Sequence, residues 1–416
     1  MKRTIVKNAS QLITCSGYKA KKGREMNELA IIEDGAVVIE EGIIKWVGKT
    51  SDIPTQYKRV AEEIDATDKT VLPGFVDSHT HFVFGGYREE EYSWRLKGNS
   101  YMEIMEKGGG IINTVKETRR ESKDCLIRSG MDRLNSMLSF GVTTVEGKSG
   151  YGLDYLTEIK QLEVMKKLNI RHDIDVIPTF LGAHAVPKEY KGKEDKYIDF
   201  IIENVLPHVV DGELAEFCDV FCEENVFSID QSHKVLSAAK KLGLKLKIHA
   251  DEIVQIGGAG LAASLGAISA DHLLMASNKG LDDMAKKNVI ATLLPGTAFT
   301  LKEDFARARY MIDNNLAVAL ATDFNPGSCF TESIPLIIAL ATIYMNMSIE
   351  ETITALTING AAALDRAEII GSIDVNKKGD IVIHEYPSYK FIPYHIGVST
   401  VEKVIKNGQL VYDKYE

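Results

Sequence analysis

His79 and His81 stand one residue apart in the run VLPGFVDSHTHFVFGGYR, residues 71–88. Side chains alternate along a strand, so these two imidazoles leave one face together. Two imidazoles converging at the end of a short buried strand make half of a metal site. The other half is to be sought at the ends of later strands. His249 and Asp323 each close a comparable apolar run, and so does the pair Asp271-His272. Three neutral nitrogens from His79, His81 and His249, with a carboxylate oxygen from Asp323, suit one divalent ion, zinc or iron, with a position open for water. An ion so held lowers the pKa of water to about 7. Asp323 is placed to touch the metal and to accept the water's proton. His272 is placed to polarise the attacking water or a substrate oxygen. Glu252, on the turn after His249, is within reach of a substrate nitrogen and can carry a proton to it.

Other polar residues at strand ends stay open to two readings. Lys148, near Glu146, is either a polar strand-end residue or a modified lysine bridging two metals. Arg88, beside Gly85-Gly86, is either a solvated charge or a clamp for a carboxylate. Tyr151, in SGYG, either delivers a phenol into the pocket or caps a turn. His184 approaches the same face from a loop, and Glu223 ends another strand. Cys218 and Cys222 have no second pair to complete a metal site, and read as buried structural thiols.

These residues need a scaffold that brings many strand ends to one face. From Val71 onward, short apolar runs alternate with amphipathic helical stretches, the pattern of βαβ units. The strands expected are Leu72–Asp77, Val142–Glu146, Ile174–Phe180, Phe217–Phe221, Leu244–His249, Ala267–Leu273, Val289–Leu294 and Ala317–Thr322. The stretch Met345–Asp365 reads as a further helical segment closing the ring. Such a series predicts an α/β fold, a (β/α)8 TIM-like barrel over residues 69–370, with its site at the C-terminal ends of the strands. The segment 85–110, ending in three glycines, reads as an active-site loop. Residues 1–68 alternate with period two, and GAVVIEEGIIKWVG reads as a hairpin turning at Glu41-Gly42. Residues 371–416 have the same character, with a second hairpin turn at Asn407-Gly408. Both termini are therefore expected to build one small β-sandwich-like domain beside the barrel.

With 416 residues, 45% of them hydrophobic and 26% charged, the chain can bury a large core. A net charge of -10 argues against a nucleic-acid or anionic-membrane partner, which would need a basic face. Five scattered cysteines argue against a disulfide framework. The N-terminus lacks the apolar core of a signal peptide, and no run approaches a membrane span. The expectation is a cytoplasmic protein.

The stretches HTHFVFGGYREEE, GGGIINTVKETR, KSGYGL, TFLGAHAVP, HADE, SADHL and ATDFNPGS resemble the amidohydrolase superfamily, and within it the imidazolonepropionase family. The HxH pair alone specifies only the superfamily; FGG-Tyr-Arg, GGGI, KSGYG and FLGAHAVP together are more specific. The resemblance implies a hydrolase that opens the ring C–N bond of 4-imidazolone-5-propanoate to give N-formimino-L-glutamate. It implies metal ligation by His79, His81, His249 and Asp323, and substrate contacts from Arg88, Tyr151, His184, Glu252, Asn325, Gly327 and Ser328. Asp323 would deprotonate the water, the metal and His272 would stabilise the oxyanion, and Glu252 would serve the ring nitrogen. Arg88 and Tyr151 would anchor the propionate. A homodimer is the implied assembly. Two rival readings are a mononuclear purine- or pyrimidine-type deaminase of the same superfamily and a metal-free scaffold. A neutral base would not need Arg88, and a scaffold would have lost ligands that are all present here.

Overall fold

The computed structural model describes residues 2–57, 61–99, 103 and 108–416. In it the alternating N-terminal segments are strands β1 (Arg3–Ala9), β2 (Gln11–Ile13), β3 (Ile31–Ile32), β4 (Gly35–Glu40), β5 (Ile43–Lys49), β6 (Glu62–Asp65) and β7 (Thr70–Pro73). β4 and β5 form the expected hairpin, and Glu41 and Gly42 at its tip both take positive φ, 49° and 81°. A two-residue turn with that backbone matches the right-handed twist of its strands.

The barrel strands are β8 (Phe75–Asp77), β9 (Val142–Lys148), β10 (Asp175–Ala183), β11 (Phe217–Cys222), β12 (Lys245–Ala250), β13 (Ser269–His272), β14 (Ile290–Leu293) and β15 (Val318–Leu320). They pair in parallel, each with the next, in one eight-stranded sheet. Beyond the last strand, bonds from Asp323 N to the His79 carbonyl (3.0 Å) and from His81 N to the Phe324 carbonyl (2.9 Å) draw the two edges together. The Thr322 amide and hydroxyl both donate to Asp77, tightening the same seam. The barrel is thus closed by the residues at its mouth.

Helices cover the outside of the barrel, and their ends follow local chemistry. The helix Ile229–Lys241 begins with a reciprocal capping box between Ser228 and Gln231. Just past its end, Gly243 takes φ 94°, a left-handed turn that glycine accepts without a Cβ clash. The stretch expected as one helical segment over Met345–Asp365 is two helices, Ile349–Leu356 and Ile358–Ala363, broken at Thr357 (φ -120°, ψ -97°).

The C-terminal strands are β16 (Ile381–His384), β17 (Val401–Lys406) and β18 (Gln409–Asp413). They join the N-terminal strands in a six-stranded sheet, ordered β18-β17-β16-β7-β2-β3, beside a four-stranded sheet, β5-β4-β1-β6. Val6, Leu12, Val37, Ile39, Val71, Ile383 and Ile405 share one apolar cluster, drawn from both sheets and both termini. One expectation is corrected here. Leu72–Asp77 is not a single strand. Thr70–Pro73 pairs with β16 and β2, and only Phe75–Asp77 enters the barrel. Gly74 is the joint: its amide donates to the Asp380 carbonyl at 2.9 Å, and a Cβ there would lie 2.2 Å from Thr143 Oγ1. Only a residue without a side chain lets the strand change sheets in that space.

Candidate active site

The closed seam sets the ligand geometry. His79 and His81 follow β8 and their rings lie 5.4 Å apart between centroids. His79 Nε2 is 3.5 Å and His81 Nε2 3.6 Å from Asp323 Oδ1. His249, on β12, places its ring 4.6 Å from His79. His79, His81 and Asp323 form one group whose potential ligand atoms lie within 4.8 Å of one another. His79, His249 and His272 form a second such group, and His81, His184 and His249 a third. His79 Nε2 and His249 Nε2 are buried with no hydrogen-bond partner among the described residues. Buried ring nitrogens are costly to leave unpaired, so these orphaned lone pairs fit a metal ion.

Electrostatics favours the neutral rings a metal needs. Burial, then the surrounding cations, holds His79, His81 and His249 well below the ordinary histidine range. Burial likewise lowers His184 and His272 to about 4. Burial raises the Asp323 carboxyl to about 7 against the pull of a 2.5 Å hydrogen bond from Thr297. Asp323 and His272 both sit at positive φ, 53° and 72°. That region is uncommon for residues with a side chain, and such strain gathers at functional sites.

Beneath the imidazoles lies a layer that sequence reading saw only in fragments. His79 Nδ1 donates to Asp271 Oδ2 at 2.7 Å, and His249 Nδ1 is 2.9 Å from Asp219 Oδ2, off the line of a good hydrogen bond. Lys148 Nζ reaches Asp219 (2.7 Å), Glu146 (3.0 Å) and Asp271 (3.4 Å). Burial pulls Lys148 down, yet Asp219, Glu146 and Asp271 hold it above the ordinary lysine value. An ammonium bonded to three carboxylates in this way argues against the bridging reading. Lys247 Nζ joins the layer through Glu146 (2.8 Å) and the Ser78 carbonyl (3.0 Å).

Above the imidazoles opens a cavity of about 570 Å³, lined by His81, Arg88, Tyr151, His184, His249, Glu252, His272, Asp323, Asn325, Gly327 and Ser328. All the sequence-predicted residues except deeply buried His79 therefore border one space. A more open hollow of about 660 Å³ over Glu223–Gln231 holds none of these histidines. Glu252 lies 3.5 Å from His272 Nδ1, and burial, then Asp323, Glu223 and Glu303, pushes its carboxyl up to about 8. Glu223 accepts from the amides of Ile253 and Val254, fixing the turn that carries Glu252. Asp251 accepts from the amides of Gly258 and Ala259, at the start of the following helix. Tyr151 is presented by a loop wound around Glu158, which accepts from the amides of Gly150, Gly152 and Leu153. The Asn325 amide is used within its own turn: Oδ1 accepts from the Gly327 and Ser328 amides, both at 2.8 Å.

The opposite wall is cationic. Arg88 precedes the helix Glu89–Leu96, bonds Glu91 at 2.8 Å, and packs its guanidinium where a Cβ on Gly327 would lie 2.1 Å from it. Arg95, two turns further on the same helix face, also lines the cavity. Its Nη2 donates to the Gly327 carbonyl at 2.9 Å, and Nη1 is buried without a partner among the described residues. Arg95 was missed in the sequence; its spacing from Arg88 marks it only once the stretch is known to be helical. Of the expected loop 85–110, residues 100–102 and 104–107 lie outside the described residues. Cys218 and Cys222 are free and buried.

Residues 70–411 match the Amidohydrolase family. The chain belongs to that family, and a divalent metal ion is its supported cofactor. Within the family its similarity is to imidazolonepropionases. It is 65% identical to that of Clostridium tetani, over 99% of this chain and 98% of the relative. It is 57% identical to that of Parabacteroides distasonis, over 98% of both chains. Among solved structures, a zinc-bound adenosine deaminase from Xanthomonas campestris superposes with a TM-score of 0.72 at 18% identity, covering 99% of this chain and 93% of that one. The E. coli guanine deaminase superposes with a TM-score of 0.72 at 15% identity, covering 100% of both. At such identities these two structures speak for the fold alone.

Proposed function

We propose that the chain hydrolyses the ring C–N bond of 4-imidazolone-5-propanoate to N-formimino-L-glutamate, a step of histidine degradation. The 65% identity to an imidazolonepropionase across 99% of the chain carries this reading. The pocket supports it, because a polar, histidine-rich end faces two arginines, as a cyclic amide bearing a carboxylate requires.

His79, His81, His249 and Asp323 would hold one zinc or iron ion. Bound there, the ion would supply Lewis acidity, making water acidic near neutral pH and polarising a carbonyl. Asp323 takes the proton as the water oxygen joins the ring carbonyl carbon. His272 hydrogen-bonds the oxygen on which negative charge develops. When the C–N bond breaks, its electron pair goes to the ring nitrogen, and Glu252 delivers the proton there. Its raised carboxyl suits it to that task near neutral pH. Arg88 and Tyr151 anchor the propionate, with His184, Asn325, Gly327 and Ser328 completing the walls. No helix among the described residues is long and apolar enough to cross a membrane. The further reading is a cytoplasmic homodimer without nucleic-acid or membrane partners.

The test follows the ultraviolet absorbance of 4-imidazolone-5-propanoate. Metal-replete protein should accelerate its loss far beyond an enzyme-free blank, a chelated sample should not, and added zinc or iron should restore the rate. No acceleration by metal-replete protein would overturn the substrate, and amino-purines and amino-pyrimidines would then be assayed for deamination.

A further inference from the structure

Five charged side chains fill the floor of the site, and none is exposed: Glu146, Lys148, Asp219, Lys247 and Asp271. Three carboxylates against two ammoniums leave one negative charge in excess, which suits a cation above them. Burying so many charges in an apolar barrel is costly unless each is paired. The pairing here is complete and directional. Asp271 Oδ2 accepts from His79 Nδ1, and Oδ1 accepts from the Ser269 hydroxyl at 2.7 Å. Asp219 Oδ1 accepts from the amides of Val220 (2.7 Å) and His249 (3.1 Å), leaving Oδ2 to face His249 Nδ1 and Lys148.

Each imidazole must carry its proton on Nδ1 to leave Nε2 free for a metal. An ionised carboxylate at Nδ1 enforces that tautomer, and such outer partners are known to tune metal sites. The two carboxylates so placed, Asp271 bonded to His79 and Asp219 2.9 Å from His249 Nδ1, lie on different strands, β13 and β11, and Lys148 on β9 is the group that touches both. Lys247 lies 4.0 Å from Asp271 and bonds Glu146 and the Ser78 carbonyl, with no ion pair to Asp219 among the described residues.

We propose that Lys148 is a positioning residue for the metal centre, its buried ammonium holding Asp219 and Asp271 so that His249 and His79 both turn Nε2 toward the ion. It touches neither metal nor substrate. This inference rests on the ligand assignment above and goes beyond it, since it concerns a residue that the hydrolysis itself never uses.

The test measures zinc affinity of the chelated, folded chain by competition with a chromophoric chelator. Lys148→Met should weaken zinc binding by about 10- to 100-fold, within the range for outer-partner losses, and Lys247→Met by clearly less. Lys148→Arg, which keeps the charge in a larger head, should recover part of the affinity. Selectively labelled histidine should show His79 and His249 protonated at Nδ1 in the unsubstituted apoprotein, and a mixture of tautomers in Lys148→Met. Wild-type affinity and tautomers in Lys148→Met, or equal losses in the two lysine variants, would overturn the proposal. If Lys148→Met does not fold, Asp219→Asn, Asp271→Asn and the double variant replace it. Coupling through one ammonium requires their effects on affinity to be non-additive, and additive effects would overturn it. Failure of the unsubstituted apoprotein to bind zinc or iron would instead refute the metal ligands on which the inference rests.

Discussion

Between the two terminal sheets, Val6, Leu12, Val37, Ile39, Ile383 and Ile405 meet in a cluster of apolar side chains. Under the barrel mouth, equally buried space holds Glu146, Lys148, Asp219, Lys247 and Asp271. The first is held by contact area and dispersion, which are non-directional and forgiving. The second is held by a network of directed bonds, in which losing a member unbalances buried charge. The apolar region can lose a methyl group and remain the same structure. The charged region orients two imidazoles through directed bonds that its members share with one another.

The contrast can be broken or sharpened by substitution. The largest expected effect is at the seam. Asp323→Asn alters the proposed ligand and the proposed base together, and should lower kcat/KM by on the order of 10³-fold or more, with metal content measured alongside. Asp271→Ala takes the most distant of three carboxylates from Lys148 and leaves His79 Nδ1 buried without its partner. It should cost about 3–5 kcal/mol in denaturant unfolding of the apoprotein and weaken metal binding as well. Glu252→Gln should reduce kcat by about 10²-fold and abolish an alkaline limb. The sign follows from its carboxyl at about 8: the proton it donates is present below that value and is lost as pH rises through it. A limb that survives in Glu252→Gln assigns the acid elsewhere. Arg95→Ala, removing a cation whose Nη1 has no partner among the described residues and which lines the cavity, should raise KM by about 10-fold with little change in kcat. An analogue with its carboxylate amidated should not feel the change. The smallest effect belongs to the apolar cluster. Ile383→Val should cost about 1 kcal/mol in unfolding and leave kcat, KM and metal affinity unchanged; a loss of metal affinity there would show the two regions to be coupled.

The same contrast explains what could be read in advance. Period-two alternation revealed the terminal hairpins, and apolar runs revealed the barrel strands to within a few residues, because burial writes itself into local pattern. His79, His81, His249, His272 and Asp323 were legible because each ends such a run. The floor was not. Asp219 and Lys247 sit inside strands, and nothing local distinguishes an inward charge with a partner on another strand from one facing water. Arg95 lies in a stretch that reads as loop, so the helical spacing that sets it beside Arg88 is not visible in the sequence. The joint at Gly74 was invisible because the clash that demands a glycine comes from Thr143, far along the chain.

The bonds between His79, His81, Asp323 and Phe324 tie the first barrel strand to the last. During synthesis, His79 and His81 leave the ribosome long before Asp323 exists. The proposed coordination set of His79, His81, His249 and Asp323 would therefore be incomplete until the final barrel strand has docked. If these residues hold the ion as proposed, metal loading would report finished folding, and a chain halted before Asp323 would present three histidines without the carboxylate that completes the set.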